Sequence, residues 1–288
     1  MNRIEARFAA LKAAGEKALV GFVVAGDPSP SASMELLAAM CEAGLDVLEL
    51  GIPFSDPTAD GPVIQRGASR ALKAGASLAG AMAITAALRR RTDVPIILFS
   101  YYNPIFAYGV QRFPHDASAA GADGVLVVDL PPEESRELTD YWDEKDEFAL
   151  IRLVAPTTPP ARMARIAADA TGFIYLVSKT GVTGSSGLDV GEVRRHVAEL
   201  RRVTTLPICV GFGIGDPTAA GSLAPFVDGV VIGSAFERTI EEHAAGADLP
   251  LRLAEQVRQY KAALRKREGH DAEPQAEADQ TAAATGVK

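Results

Sequence analysis

The sequence predicts an α/β protein in which eight short strands alternate with helices. Short runs of apolar residues recur along the chain, and most are apolar throughout, as expected of parallel strands covered by helices. Stretches rich in Ala, Leu, Arg and Glu, with helical spacing of their apolar positions, separate these runs. At 288 residues with 48% hydrophobic content, the chain is long enough for one large α/β domain with a full core.

The strands are predicted at 19–25, 46–50, 95–100, 124–128, 148–153, 173–178, 207–210 and 227–232. The helices are predicted at 31–43, 78–91, 133–145, 160–168, 190–202 and 247–266, after an amphipathic helix within 1–17. Eight such units indicate a single TIM (β/α)8 barrel with an extra N-terminal helix. A doubly wound open sheet is the alternative, although the turn at 26–28 (GDP) after the first strand is not its glycine fingerprint.

Residues 1–266 are predicted to form one catalytic barrel domain, because no linker interrupts them. Residues 267–288 are rich in Ala, Glu, Asp, Gln and Thr and have no apolar periodicity. This composition predicts a disordered tail.

The charge balance and the cysteines narrow the class of protein. A net charge of -8 argues against binding to nucleic acid or to a membrane surface. With no apolar run of 18 residues and no signal peptide, we expect a cytoplasmic enzyme. Cys41 and Cys209 lie in apolar patterns and are predicted to be core thiols, and the four histidines lack partners at metal-ligand spacing, so no metal site is predicted.

A glutamate inside an apolar strand is the first candidate for chemistry. Glu49 lies within the run 47–50, on the same strand face as Val47, and the proline-rich loop that follows contains Asp60. If that face is the barrel interior, desolvation raises the pKa of Glu49 and suits it to donate a proton, whereas Asp60 stays ionised. The alternatives are an edge-strand glutamate that points to water and an Asp60-Gly61 pair that only makes a turn.

Glycine turns after the last two strands predict a phosphate site. Gly211-Phe212-Gly213 follows the seventh strand, and Gly233-Ser234 follows the eighth at the start of a short helix. Backbone N–H groups at such turns bind phosphate, and barrels use these two loops for it repeatedly. Gly184, in the long glycine-rich loop 179–189, is a further N–H donor candidate, and plain turns are the alternative.

Strand parity favours an inward Tyr175, opposite to its two strand neighbours, and the alternative is an ordinary core tyrosine with a satisfied hydroxyl. The residues Phe22, Phe212 and Ile232 are either core or the walls of an aromatic pocket. Lys179 follows the sixth strand, where an aldolase would place a Schiff-base lysine, although a solvated loop charge is the commoner role.

Several motifs together resemble one family, the tryptophan synthase alpha subunit. The most specific is the run 49–62 (ELGIPFSDPTADGP), and others are 26–28 (GDP), 102–104 (YNP), 129–131 (DLP), 181–184 (GVTG) and 211–214 (GFGI). The resemblance extends over residues 3–262 and leaves the tail without a counterpart. It implies a TIM-barrel lyase that cleaves indole-3-glycerol phosphate to indole and glyceraldehyde 3-phosphate by a retro-aldol route.

The resemblance also implies roles for individual residues. Glu49 would protonate the indole ring, Asp60 would hydrogen-bond the indole N–H, and Tyr175 would orient the catalytic carboxylate or the ligand. The indole pocket would be walled by Phe22, Phe212 and Ile232. The phosphate would be held by Gly184, Gly213, Gly233 and Ser234. Lys179 receives no role because the family varies there. Thr183 is expected to approach Asp60 when its loop closes, because both residues lie on loops over the same end of the barrel.

No cofactor is expected in this subunit. The family's partner, a beta subunit with pyridoxal phosphate, would consume the indole in an alpha2-beta2 complex. Two other hypotheses remain open at this point: a phosphate-sugar aldolase that uses Lys179 as a Schiff base, and a regulatory subunit that binds the phosphate ligand without turning it over.

Overall fold

The computed structural model describes residues 2–142, 147–178 and 188–265. Eight parallel strands close into a barrel in sequence order, each hydrogen-bonded to the next and β8 to β1. The strands are β1 Ala18–Val24, β2 Val47–Gly51, β3 Ile96–Ser100, β4 Gly124–Val127, β5 Ala149–Val154, β6 Ile174–Val177, β7 Ile208–Gly211 and β8 Gly229–Ile232. All eight predicted strands are confirmed, and closure excludes the open sheet.

The helices lie outside the barrel, and α1 precedes the first strand as predicted. They are α1 Arg3–Ala14, α2 Pro30–Glu42, α3 Pro62–Lys73, α4 Leu78–Arg89, α5 Tyr102–Tyr108, α6 Phe113–Ala119, α7 Arg136–Thr139, α8 Pro160–Ala168, α9 Val190–Leu200, α10 Pro217–Leu223, α11 Ser234–His243 and α12 Leu249–Leu264.

Alternation along each strand divides the core into two clusters. Ile174 and Leu176 belong to the cluster between strands and helices, whereas Tyr175 belongs to the cluster inside the barrel. Both cysteines are buried and free, and Cys209 is one of the interior residues. Since inward and outward positions alternate, one residue of register decides whether a side chain reaches the barrel interior.

At the N-terminal ends of the strands, one device recurs four times. Just before each even-numbered strand, one side chain accepts a hydrogen bond of 2.7 to 2.8 Å. The donor is a backbone N–H at the start of the odd-numbered strand that precedes it in the chain. The acceptors are Asp46, Asp123, Thr171 and Asp228, and the donors are Leu19, Ile96, Leu150 and Ile208. Each pair fixes the start of one strand against its neighbour, which makes this end of the barrel rigid.

One predicted helix differs from the structure. The predicted helix spans 133–145, and its described part, up to residue 142, begins within a 3-10 turn, Pro132–Glu134, followed by the single-turn helix α7. The Ser135 hydroxyl donates back to the carbonyl of Pro132 at 2.6 Å and also to Asp169, and these bonds keep the chain in the tighter turn. The predicted disordered tail, 267–288, lies outside the described residues.

No single helix in the described ranges is both long and apolar enough to cross a membrane. The pair α3 and α4, bent by 93°, passes that test jointly on length and composition alone.

Candidate active site

Glu49 lies inside the barrel near the C-terminal end of β2. Its strand neighbours in register are Phe22 of β1 and Ile97 of β3, both members of the interior cluster. The side chain is fully buried, and among the described residues neither carboxylate oxygen has a hydrogen-bond partner. Burial raises the pKa of Glu49 from 4.5 to about 8, so the group carries a proton at neutral pH.

Asp60 lies at the end of the loop between β2 and α3 and is 9% exposed. Burial raises the pKa of Asp60 from 3.8 to about 6, while a hydrogen bond donated by the Tyr101 hydroxyl at 3.2 Å opposes that shift. The same hydroxyl accepts the Ala59 N–H at 2.9 Å. The loop is therefore tied to β3, and Asp60 is ionised at neutral pH whereas Glu49 is not.

Tyr175 lies in the barrel interior opposite Cys209 of β7, and its hydroxyl extends along that strand to Gly211. A Cβ atom added at Gly211 would lie 2.0 Å from the Tyr175 hydroxyl oxygen, so only glycine leaves room for the tyrosine. Burial raises the pKa of Tyr175, and the nearby Glu49 charge adds to that shift. Tyr175 thus remains a neutral hydroxyl that faces the same interior space as Glu49.

Aromatic rings surround this space. The Phe22 ring meets the Phe99 ring edge-on at 5.1 Å, and the Tyr175 ring meets Phe212 edge-on at 6.0 Å. Gly51 is required beneath Phe22, because an added Cβ would lie 2.6 Å from the ring. The pocket is therefore apolar on most sides, as a ring-shaped ligand requires.

The predicted position of Ile232 in the pocket wall is wrong. Ile232 packs between the strands and the helices, and Val231 takes the inward position. Its register partner Gly21 also faces outward, since a Cβ there would meet Leu45 and Phe236. Successive residues of a strand point to opposite faces. Because Ile232 faces outward, Val231 is the residue of β8 that faces the interior.

The two glycine turns lie at neighbouring strand ends. Phe212 and Gly213 both have left-handed backbone, with φ of 74° and 73°. Ser178 donates its hydroxyl to the Phe212 carbonyl, which ties the end of β6 to this turn. Gly233 precedes α11, and no side chain in the described part of the protein caps that helix. The backbone N–H groups in the first turn of α11 are therefore available to bind an anion.

Thr183, Gly184 and Lys179 lie outside the described residues. Within the described ranges, no group of three or more metal-ligating side chains could hold a metal ion. A cavity of about 1380 Å³ lies at the opposite end of the barrel, where the strands begin. Its lining includes Lys17 and Asp228 but none of the predicted site residues, and barrel enzymes do not place chemistry at that end.

Sequence reasoning missed three residues of the site. Tyr101 and Phe99 follow the inward parity of β3, which would have pointed to both, whereas Val231 is identified only by the register of β8 with β1. No sequence signal links Tyr101 to Asp60, because the two lie 41 positions apart in the chain.

A closed (β/α)8 barrel with two carboxyls of raised pKa at its C-terminal mouth defines a class, the TIM-barrel enzymes that perform acid–base chemistry. A family model described as "Tryptophan synthase alpha chain" matches residues 8–265. A tryptophan synthase alpha chain from Desulfosudis oleivorans is 60% identical over 265 residues, which cover 92% of this chain and all of that protein. The corresponding protein from Laribacter hongkongensis is 51% identical, with coverages of 88% and 95%.

Comparison with solved structures indicates the same family. Tryptophan synthase subunit alpha from Legionella pneumophila superposes with a TM-score of 0.84 at 37% identity, covering 92% of this chain and 98% of that one. A chain of Mycobacterium tuberculosis tryptophan synthase also superposes with a TM-score of 0.84, at 32% identity and coverages of 92% and 99%. The chain belongs to the tryptophan synthase alpha chain family. It is a lyase of tryptophan biosynthesis that cleaves indole-3-glycerol phosphate to indole and glyceraldehyde 3-phosphate.

Proposed function

We propose that Glu49 is the general acid of this cleavage. The carbon–carbon bond breaks only after the indole ring becomes an electron acceptor. Glu49 donates its proton to ring C3, which leaves the positive charge on the ring nitrogen. The side-chain hydroxyl then loses its proton to the same carboxylate, and the bond electrons return to the ring, which releases indole and the aldehyde. The observation that carries the proposal is a fully buried carboxyl with no donor among the described residues, inside the mouth of a closed barrel.

Asp60 stabilises the charge on the ring nitrogen by accepting the indole N–H. Its pKa of about 6 keeps it ionised at neutral pH, and the Tyr101 hydroxyl orients one of its oxygens. A fixed anion in a water-poor site stabilises a developing cation much more than the same anion in water. The two carboxyls therefore have different roles, since Glu49 supplies the proton and Asp60 supplies the negative charge that stabilises the ring cation.

The ring and the phosphate occupy different parts of the mouth. Phe22, Phe212 and Val231 form the apolar wall for the indole, and Tyr175 orients Glu49 or the ligand. The turns at Gly213, Gly233 and Ser234 hold the phosphate through backbone N–H groups. Gly184, outside the described residues, keeps the phosphate-binding role that the family resemblance implies, and Thr183, also outside them, keeps the role in loop closure that its position predicts.

The partner is a beta subunit that contains the pyridoxal phosphate and consumes the indole, in an alpha2-beta2 complex. The loops at the strand ends beside α5 are the surface that we propose to contact the beta subunit. Phe106 on α5 is 65% exposed, and its ring lies 6.2 Å from that of Tyr102. Exposed aromatics of this kind mark protein interfaces. Family membership favours a cytoplasmic location.

Indole release from purified protein, with and without a beta-type chain, tests the catalytic assignment. Glu49→Gln removes the transferable proton, and we expect a loss of about 10²–10⁴-fold in rate with ligand binding retained. The matched control is Glu255→Gln on the surface of α12, where the side chain is 57% exposed. A Glu49→Gln rate above about a tenth of wild type contradicts the assignment.

A charge at the helix start tests the phosphate site. Ser234→Asp suits the first turn of a helix but repels an anion there, so KM should rise about tenfold or more while the fold persists. Ser222→Asp places the same charge on α10, at the other end of the barrel, and should leave KM unchanged. Equal KM values for the two variants would place the phosphate elsewhere.

A further inference from the structure

A pair of buried carboxyls lies behind the barrel wall, outside the pocket. Asp27 follows β1, and Glu237 lies in the first turns of α11. Both side chains are fully buried. Neither residue has a role in the proposed catalytic site or phosphate site, although Glu237 is only three residues beyond Ser234.

One arginine, Arg70, forms hydrogen bonds with Asp27 but not with Glu237. Arg70 of α3 donates from Nε to Asp27 Oδ1 at 3.0 Å and from Nη2 to Asp27 Oδ2 at 2.7 Å. The same Nη2 is 3.8 Å from Glu237 Oε2, beyond hydrogen-bond distance. Glu237 Oε2 has no donor among the described residues, whereas Oε1 accepts the Val24 N–H at 2.8 Å. Because two buried negative charges beside one cation are costly, one carboxyl keeps its proton.

The proton belongs to Glu237. Its Oε2 and Asp27 Oδ2 point to the same place on α3, since a Cβ added at Gly67 would lie 2.3 Å from the first oxygen and 3.1 Å from the second. Burial raises the pKa of Glu237, and the Asp27 charge raises it further. A protonated Glu237 donates to Asp27 through Oε2, which satisfies the one oxygen that otherwise has no partner.

Other charged groups around the pair are already engaged. Glu241, one turn further along α11, receives Arg66 at 2.7 and 2.8 Å and Arg70 at 3.0 Å. Asp27 and Arg70 are therefore the charged groups that face Glu237 directly, with Arg66 and Glu241 in an outer layer. The whole network joins α3, which begins just after Asp60, to α11.

We propose that Glu237, as a neutral acid that bridges the Val24 N–H and Asp27, is a positioning residue that sets the N-terminus of α11 for phosphate binding. The Glu237 N–H also bonds the Gly233 carbonyl at 3.0 Å, so the acid and the turn move as one piece. Its bond to β1 then fixes Gly233 beside Phe22, where a Cβ would lie 3.3 Å from that side chain. The inference rests on the phosphate site proposed above.

Substrate fragments separate positioning from general stability. In Glu237→Leu the bridge is lost while the Arg70–Asp27 pair remains, and glycerol 3-phosphate should bind about tenfold more weakly, which corresponds to one lost hydrogen bond. Indole should bind unchanged, because the bridge bonds the Val24 backbone and Asp27 and none of the side chains of the apolar wall. In Glu237→Gln the amide still donates to Asp27 and accepts from Val24, so phosphate affinity should return to within about twofold of wild type.

Alkaline pH gives a second measurement that does not depend on the leucine variant's folding. Ionisation of Glu237 breaks its bond to Asp27, so glycerol 3-phosphate should bind the wild-type protein more weakly at high pH, and Glu237→Gln should lack that weakening. Unchanged glycerol 3-phosphate binding in Glu237→Leu, or the same alkaline weakening of glycerol 3-phosphate binding in Glu237→Gln, overturns the positioning role. If Ser234→Asp also leaves phosphate binding unchanged, the phosphate site itself is wrong; if Ser234→Asp weakens it, only the role of Glu237 is refuted.

Discussion

Glu49→Gln should make the protein more stable as well as inactive. The folded state holds the Glu49 proton with a pKa of about 8, whereas the unfolded chain releases it near 4.5. As pH rises from 4.5 to 8, the unfolded state therefore loses a proton that the folded state keeps, and the free energy of unfolding falls. Each pKa unit corresponds to about 1.4 kcal/mol, so this group costs about 3 kcal/mol of stability at pH 7. Glutamine does not titrate and is free of this cost.

Urea denaturation of both proteins at several pH values measures the effect. Between pH 5 and pH 7 the stability of Glu49→Gln relative to wild type should increase by about 2 to 3 kcal/mol, and the gap should level off above pH 8. Asp60 is present in both proteins, so its own titration cancels in the difference. Glu255→Gln, which changes an exposed group, should show no such pH-dependent gap. Parallel stability curves for Glu49→Gln and wild type would refute the claim that burial keeps Glu49 protonated.

Two further predictions concern the pocket. The kcat/KM of the free enzyme should be bell-shaped, rising through about pH 6 as Asp60 ionises and falling through about pH 8 as Glu49 loses its proton; Asp60→Asn should abolish the acid limb alone, and retention of that limb would contradict the assignment. Gly211→Ala should displace the Tyr175 hydroxyl, which lies 2.0 Å from the added Cβ, and lower kcat/KM about tenfold or more. Gly215→Ala, where an added Cβ meets nothing within 4 Å, should leave kcat/KM unchanged and is the matched control.

The strands were predictable because their signal is local. A parallel strand buried on both faces is a short apolar run, and helices with regular apolar spacing separate these runs, so a local pattern suffices. The seven-residue helices α5, α6 and α10 carry much less local signal. Helices this short form because of tertiary packing rather than local propensity, and so have little periodicity to detect.

Alternation along a strand predicted the direction of Glu49 and Tyr175, and both lie inside the barrel. In β8 two adjacent residues, Val231 and Ile232, are both apolar, and Val231 rather than the predicted Ile232 faces the interior. Composition cannot separate the two, because valine and isoleucine suit either face of a barrel strand. Only the register with β1 decides which one faces the pocket.

By itself, the sequence determined the number and order of the strands, the position of a carboxyl in an apolar strand, and the glycine turns after the last two strands. These depend on residue type and on spacings of a few positions. The tertiary structure alone decided that Tyr101 bonds Asp60 and that Glu237 bonds the Val24 N–H, across 41 and 213 positions of chain. The first contact follows from the direct pairing of β2 with β3, whereas the second depends on closure of the barrel, which brings α11, after β8, beside β1. The pKa values of the two candidate catalytic carboxyls follow from that closure, since only the closed barrel removes them from water.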